Sequence, residues 1–307
     1  MTQAAPISTT NWIITISALL IIIGLDFAWA VARRKKDTSM REATAWSVFY
    51  VSLAVAFGLF LSQWLTQREQ QEFFAGWLTE YSLSFDNLFV FVLILTRLKI
   101  DKQKQQLALL IGILIALVLR IIAITLGKAA IERFEWVFFI FGAFLIYTAV
   151  TLFMESAHKD EEEKDSKIIQ FLQRRGLKPF TIALLALGMT DLLFALDSIP
   201  AIFGLTENVY IVITANIFAL MGLRQLYFLI GGLMTRLVYI GKGLSAILAF
   251  IGFKLLFHAF HSVDIHEIAG IPLPEVTITE SLIVIVSCIG LATIASLIST
   301  RDKNPTE

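Results

Sequence analysis

Hydrophobic and polar positions along the chain fall into long apolar runs separated by short polar connections, with little of the strict alternation that marks strands. Nine such runs occur, at 12–32, 44–64, 74–96, 107–126, 135–154, 180–204, 208–233, 244–261 and 280–299. A bilayer core of ~30 Å takes about 20 mostly apolar residues per helix, so each run predicts a membrane-spanning helix. The pattern therefore predicts an all-α, polytopic membrane protein forming a single transmembrane domain over residues 1–307. Within it lie two N-terminal helices (12–64), a three-helix set (74–154), a charged loop (155–179), a second three-helix set (180–261) and a C-terminal helix (280–299).

Composition supports this pattern and removes alternatives. The 307 residues are 57 % hydrophobic and 16 % charged, against about a quarter charged in an average soluble domain. Lys+Arg and Asp+Glu balance at 25 each, so no net field favours nucleic acid, and the partner the sequence implies is the lipid bilayer. The single cysteine, Cys288, excludes an internal disulfide, a CxxC redox pair and a thiolate metal cluster. No catalytic constellation stands out, and an enzyme is not expected.

Charge placement sets the orientation. Ala28-Trp29-Ala30 imitates a signal-peptide cleavage site, but no Lys or Arg precedes the first run, whereas Arg33, Arg34, Lys35 and Lys36 follow it. That arrangement predicts a retained helix with its N-terminus outside. With nine crossings, 19 Lys and Arg then fall inside and three outside (Arg68, Lys128 and Arg133), while Arg120, Arg224 and Lys254 lie within helices. This predicts a bacterial inner-membrane protein with the N-terminus out and the C-terminus in. The run His158-Lys159-Asp160-Glu161-Glu162-Glu163-Lys164-Asp165 reads first as a solvated cytoplasmic loop and second as a weak collector of cations.

Charges inside apolar runs are costly and mark pathways. The third run carries Glu80-Tyr-Ser-Leu-Ser-Phe-Asp86-Asn87, and the sixth Asp191-Leu-Leu-Phe-Ala-Leu-Asp197-Ser198. Each holds two acids six residues apart, the second followed by an oxygen-bearing side chain. The next runs contain Leu119-Arg120 and Leu223-Arg224, and the runs after those contain Gly142-Ala-Phe-Leu145 and Gly252-Phe-Lys254-Leu255. Three helices in the same order amount to a duplicated unit, helices 3–5 and 6–8. An odd number of crossings separates the copies, so the repeat is inverted, an arrangement that places a site near the midplane.

A spacing of six residues turns the helix by 240°, so Glu80 faces the side of Ser84 and Asn87, not that of Asp86, and Asp191 faces the side of Ala195 and Ser198. Convergence of all four acids requires tilted or broken helices, and Pro200 is the expected breaker because it frees the carbonyl of Leu196. Carboxylate, amide, hydroxyl and carbonyl oxygens suit Mn²⁺, Mg²⁺ or Ca²⁺ and not zinc or copper. Glu80, Asp86, Asp191, Asp197 and Asp26 outnumber Arg120, Arg224 and Lys254 by two, the charge of one divalent cation. The alternative is that the acids only form packing ion pairs with these three bases.

At these residues the chain resembles the TerC family of bacterial membrane proteins, and within it the Alx-like members. The resemblance rests on Glu80-Tyr-Ser-Leu-Ser-Phe-Asp86-Asn87, Phe194-Ala-Leu-Asp197-Ser198-Ile-Pro200-Ala-Ile-Phe203, Asn216-Ile-Phe-Ala-Leu-Met-Gly-Leu-Arg224 and Phe250-Ile-Gly-Phe-Lys254, and spans most of 12–299. It implies a nine-helix inner-membrane protein related to LysE-type exporters and implicated in manganese efflux, some members being tied to tellurium resistance or alkaline pH. It also implies Glu80, Asp86, Asn87, Asp191, Asp197 and Ser198 as ion-site residues. Many members carry a glutamate three residues before the helix 6 aspartate, where this chain has Gly188.

The function expected is a secondary transporter that exports a hard divalent cation, Mn²⁺ first with Ca²⁺ or Mg²⁺ as alternatives, and takes protons in return. Competing readings are a membrane redox modulator or tellurium-resistance protein, a metal-delivery scaffold, and an amino-acid exporter. His258, His261 and His266 with Asp264 and Glu267 read as interfacial polar groups, or alternatively as an exit-side relay or pH sensor. The charge count predicts that reporters fused after residues 105 and 170 face the cytoplasm and those near 130 and 270 face outside. A reporter at 170 found outside overturns the inverted topology.

Overall fold

The computed structural model describes residues 7–32, 39–134, 136–155, 176–223, 225–227, 229, 238–268 and 271–301. Over these, nine α-helices have defined bounds: α1 (Thr9–Ala32), α2 (Met40–Phe60), α3 (Gln67–Arg97), α4 (Lys102–Arg133), α5 (Val137–Glu155), α6 (Pro179–Phe203), α7 (Val209–Met221), α8 (Ile240–Ser262) and α9 (Ile278–Arg301). A 3-10 turn at Leu61–Gln63 extends α2, and Glu267–Ile268 pairs with Ile271–Pro272 in a two-residue antiparallel bridge between α8 and α9. The charged run at 158–165 and Arg224 lie outside the described residues.

Each expected run has its helix, and the departures have local causes. α3 begins seven residues before its apolar run because Thr66 and Glu69 form a capping box that satisfies the first-turn N–H groups. α4 continues through polar residues at both ends. Pro200 does not interrupt α6, which runs on to Phe203. The interruption lies instead in the seventh run, where α7 stops at Gly222 after 13 residues and helical bonding resumes from Gly222 O to Leu226 N. At ~1.5 Å per residue, 13 residues span about 20 Å, too little for a bilayer core.

Among the described residues, six helices are long and apolar enough to cross a membrane: α1, α2, α4, α5, α8 and α9. Their outward faces carry large exposed side chains such as Ile14, Leu25, Phe60, Leu126, Met154 and Leu291, as a lipid-facing surface requires. Of the three that remain, α3 and α7 are mostly buried, while α6 keeps an exposed apolar stripe at Leu185, Met189 and Leu192. Every residue of α7 after Val209 is buried, so it forms the central post of the bundle.

Packing displays the repeat directly. α3 lies chiefly on α7 and α4 chiefly on α6, contacts that interchange when the two sets are swapped, and α5 lies on α8. Contacts at 69–208, 76–215 and 81–222 run α3 parallel to α7. Contacts at 112–187, 120–191 and 127–199 run α4 parallel to α6. α5 and α8 are antiparallel, with contacts from Phe138–His258 through Gly142–Gly252 to Ala149–Ser245. One set therefore runs up-down-up and the other down-up-down. The pseudo-two-fold passes where the equivalent glycines face each other: a Cβ on Gly142 would stand 2.9 Å from Gly252 O, and one on Gly252 3.0 Å from Gly142 O.

That close approach predicts an asymmetry among glycine variants. Gly142→Leu or Gly252→Leu forces α5 and α8 apart and costs about 1–3 kcal/mol or more, whereas Gly24→Ala, with nothing within 4 Å, is neutral or stabilises by up to ~1 kcal/mol. Thermal unfolding of the detergent-solubilised protein measures both.

Candidate ion site at the bundle midplane

Buried hydrophobic residues form two clusters. One contains Phe73, Trp77, Leu83, Ile124, Ile131, Ala195 and Ile199, and the other Leu88, Leu95, Ala108, Leu109, Ile182 and Leu187. α3, α4 and α6 cross both. Between the two clusters lie buried polar side chains: Glu80 and Ser84 of α3, Arg120 of α4, and Asp191 and Ser198 of α6. Glu80, Arg120 and Asp191 fall near the middle of their helices, so a polar layer divides the apolar core.

Arg120 organises this layer. Its Nη1 donates to Glu80 Oε2 at 2.6 Å, while Nη2 and Nε donate to Asp191 Oδ1 and Oδ2 at 3.2 and 3.3 Å. All three side chains are excluded from solvent, with exposures of 1 % for Arg120, 0 % for Glu80 and 3 % for Asp191. Glu80 and Asp191 occupy equivalent positions in the two repeats, so one guanidinium bridges the pseudo-two-fold by binding both copies of one position. With both acids ionised the trio carries a formal charge of −1.

Several buried polar atoms in this part of the bundle are left over. Thr79 Oγ1, Ser84 Oγ and the side-chain oxygen and nitrogen of Asn216 have no hydrogen-bond partner among the described residues. A buried polar atom without a partner costs about 1–3 kcal/mol, and each such atom in a native structure needs an explanation. The faces expected from helical geometry hold: Glu80 and Ser84 are both buried, as are Asp191, Ala195 and Ser198. Antiparallel contact of α3 with α6, fixed by Gly76 against Ile202, sets Ser198 beside Glu80.

Not all expected site residues can be placed. The backbones of Asp86, Asn87 and Asp197 lie in α3 and α6, but their side chains, like Arg224, lie outside the described residues. Lys254 stands apart from the layer, its Nζ donating to Ser281 Oγ on α9 at 3.0 Å. Asp26 is also elsewhere, accepting from Gln225 Nε2 at 3.5 Å. Gly188 packs so that a Cβ would stand 3.3 Å from Ile115 Cγ2. Among the described residues no three His, Cys, Asp or Glu side chains stand together as a metal cluster. His258 stands 3.9 Å from Glu207 and His261 stacks near His266, with ring centroids 5.1 Å apart.

Sequence reasoning passed over Thr79 and Asn216. The signal for Asn216 was present, an amide in the otherwise apolar run of α7. It also passed over a polar tie at one end of the bundle, where Thr206 Oγ1 donates to Glu72 Oε2 at 2.5 Å, Asn208 Nδ2 to Glu69 Oε1 at 3.0 Å, and Arg68 pairs with Glu72 at 3.0 Å. This tie fixes the start of α3 against the α6–α7 turn, and through it the depth of Glu80 relative to α7.

The profile of the integral membrane protein TerC family matches residues 65–304. An uncharacterized membrane protein of Mycobacterium tuberculosis is 39 % identical over 318 residues, covering 95 % of this chain and 80 % of its own. One of Myxococcus xanthus is 36 % identical, covering 94 % and 92 %. A protein of Escherichia coli named as a membrane-bound redox modulator, Alx, is 34 % identical over 280 residues, covering 82 % and 87 %. No solved structure matches.

The trio predicts strong non-additivity. Arg120→Leu strands two buried carboxylates and should cost about 3–5 kcal/mol. Adding Glu80→Gln and Asp191→Asn to Arg120→Leu should return most of that loss. SDS-induced unfolding in mixed micelles measures each variant, and a triple variant no more stable than the single one contradicts the network.

Proposed function

The chain belongs to the TerC family of integral membrane proteins, and from that premise we propose that it is a secondary transporter, not an enzyme, that exports a hard divalent cation, most readily Mn²⁺, across a bacterial inner membrane. The observation that carries this reading is the buried layer itself: two symmetry-equivalent acids bridged by Arg120 at mid-helix, with the hydroxyls of Ser84 and Ser198 buried alongside. Buried charge at that depth is expensive and marks an ion pathway. Carboxylate, hydroxyl and amide oxygen favour hard cations, and inverted repeats with a midplane site and a broken helix, here α7 at Gly222, are features of secondary transporters.

In this proposal Glu80, Asp191 and Ser198 receive the ion together with Asp86, Asn87 and Asp197, which the repeat sets on the same two helices. Arg120 is the resident counter-charge: it holds the acids together in the empty site and releases one when metal enters. Arg224, its counterpart in the second repeat, takes the same part in the opposite state. With the cell interior negative, expelling a divalent cation costs roughly 2.3 kcal/mol per charge per 100 mV, and the sequence carries no nucleotide-binding motif to supply it. Protons returning on the vacated carboxylates supply the coupling. The orientation that goes with this has the N-terminus outside and the C-terminus inside.

Reconstitution of the protein alone into proteoliposomes tests the reading, with Mn²⁺ and internal pH followed under an imposed pH gradient. Metal should move against the proton flux, and Asp86→Asn, Asp197→Asn or Glu80→Gln should reduce it by at least about a hundredfold, since each removes a charge-assisted ligand worth several kcal/mol. Cys288→Ala should leave it unchanged, which separates this function from thiol chemistry. Flux that ignores the gradient and moves no protons rules out antiport, and normal flux in all three acid variants rules out the site.

A further inference from the structure

The end of α8 holds a pair of rings that the midplane layer does not use. α8 closes in a Schellman turn: Ile265 N donates to Phe260 O at 3.0 Å, Asp264 N donates to His261 O at 3.2 Å, and Asp264 takes a left-handed φ of 60°, a region that Asp enters more readily than most residues. This turn sends the chain back past the last turn of the helix. Just beyond it His266 O accepts from Leu273 N at 2.9 Å, and Glu267–Ile268 pairs with Ile271–Pro272. Both ends of the reversal are therefore tied, and the imidazoles of His261 and His266 meet with centroids 5.1 Å apart.

The nitrogens are arranged for a ligand. His261 Nδ1 donates to Phe257 O at 2.7 Å, since a carbonyl can only accept, so in the neutral ring Nε2 keeps a free lone pair, the tautomer that a metal-bound histidine uses. His266 is exposed, and neither ring has another hydrogen-bond partner among the described residues. Two imidazoles on one tetrahedral ion, with metal–nitrogen lengths of about 2.1 Å, have centroids about 5.2 Å apart, which matches the pair. His258 points elsewhere, 3.9 Å from Glu207. With two protein nitrogens, the ion keeps its other positions for water. Imidazole suits Zn²⁺, Cu²⁺ and Ni²⁺, whereas Mn²⁺ lies at the weak end of the divalent series. We propose that His261 and His266 form a two-histidine site for a borderline transition-metal ion, Zn²⁺ foremost, separate from the midplane layer and independent of what that layer carries.

Titration of the full chain with Zn²⁺ tests this, using protein free of any histidine tag, stripped of metal, held in nanodiscs and set in competition with a fluorescent zinc indicator. His261→Ala and His266→Ala should each weaken the tightest Zn²⁺ site by at least about tenfold. The double variant should go little further, because losing one ring already removes the chelate. His266→Ala alters an exposed ring and so leaves α8 undisturbed. His258→Ala, and Glu80→Gln in the midplane layer, should both stay within about twofold of the parent. Mn²⁺ in about tenfold excess should not displace the bound Zn²⁺. A smaller loss in His266→Ala, a loss of Zn²⁺ affinity in Glu80→Gln, or displacement by that excess of Mn²⁺ each overturns the proposal.

Discussion

Arg120 holds Glu80 and Asp191 at a depth where water is absent, and the rest of the bundle is arranged to make that possible. A lone charge in such a place costs several kcal/mol, so three helices must deliver their charged side chains to one point. α3, α4 and α6 do this by crossing between two apolar clusters at the same level. The outer helices have the simpler task of covering them, and their lipid-facing side chains are correspondingly exposed and apolar.

The inverted repeat supplies the geometry of delivery. Two copies of one three-helix unit, facing opposite ways, bring equivalent residues together at the pseudo-two-fold: Gly142 meets Gly252 at the α5–α8 contact, and Glu80 meets Asp191 through Arg120. The glycines permit backbone to approach backbone where any side chain would separate the helices. The acids would repel without a cation between them. In this structure that cation is the guanidinium of Arg120, which binds both acids.

Among the described residues one break falls in the buried helix at the centre of the bundle. α7 is too short to cross, is buried on every side and ends at Gly222, between Asn216 and Gln225, both nearly fully buried. Irregular backbone at membrane depth is tolerated where protein surrounds it, and here it is surrounded by α1, α2, α3 and α4. The polar tie of Glu69 and Glu72 to Thr206 and Asn208 anchors one end of that post, so the break does not let the register slide.

The sequence by itself determined the order of the helices, because each apolar run marks a helix, although only six of these helices among the described residues meet the length and polarity of a crossing. It also determined the repeat and the faces on which Glu80, Ser84, Asp191 and Ser198 lie, because these follow from short-range periodicity of 3.6 residues per turn. Tertiary structure decided what no local pattern encodes. Lys254 and Arg120 are equally conspicuous as charges within apolar runs, yet one meets Ser281 on α9 and the other meets two acids. The difference lies in which helices pack together. Pro200 was the expected break, yet α6 runs through it to Phe203, since a proline removes one hydrogen bond that a packed helix can forgo, and α7 ends instead at Gly222. Thr79 and Asn216 were equally out of reach, because a buried polar group without a partner among the described residues exists only once separate segments have been brought together.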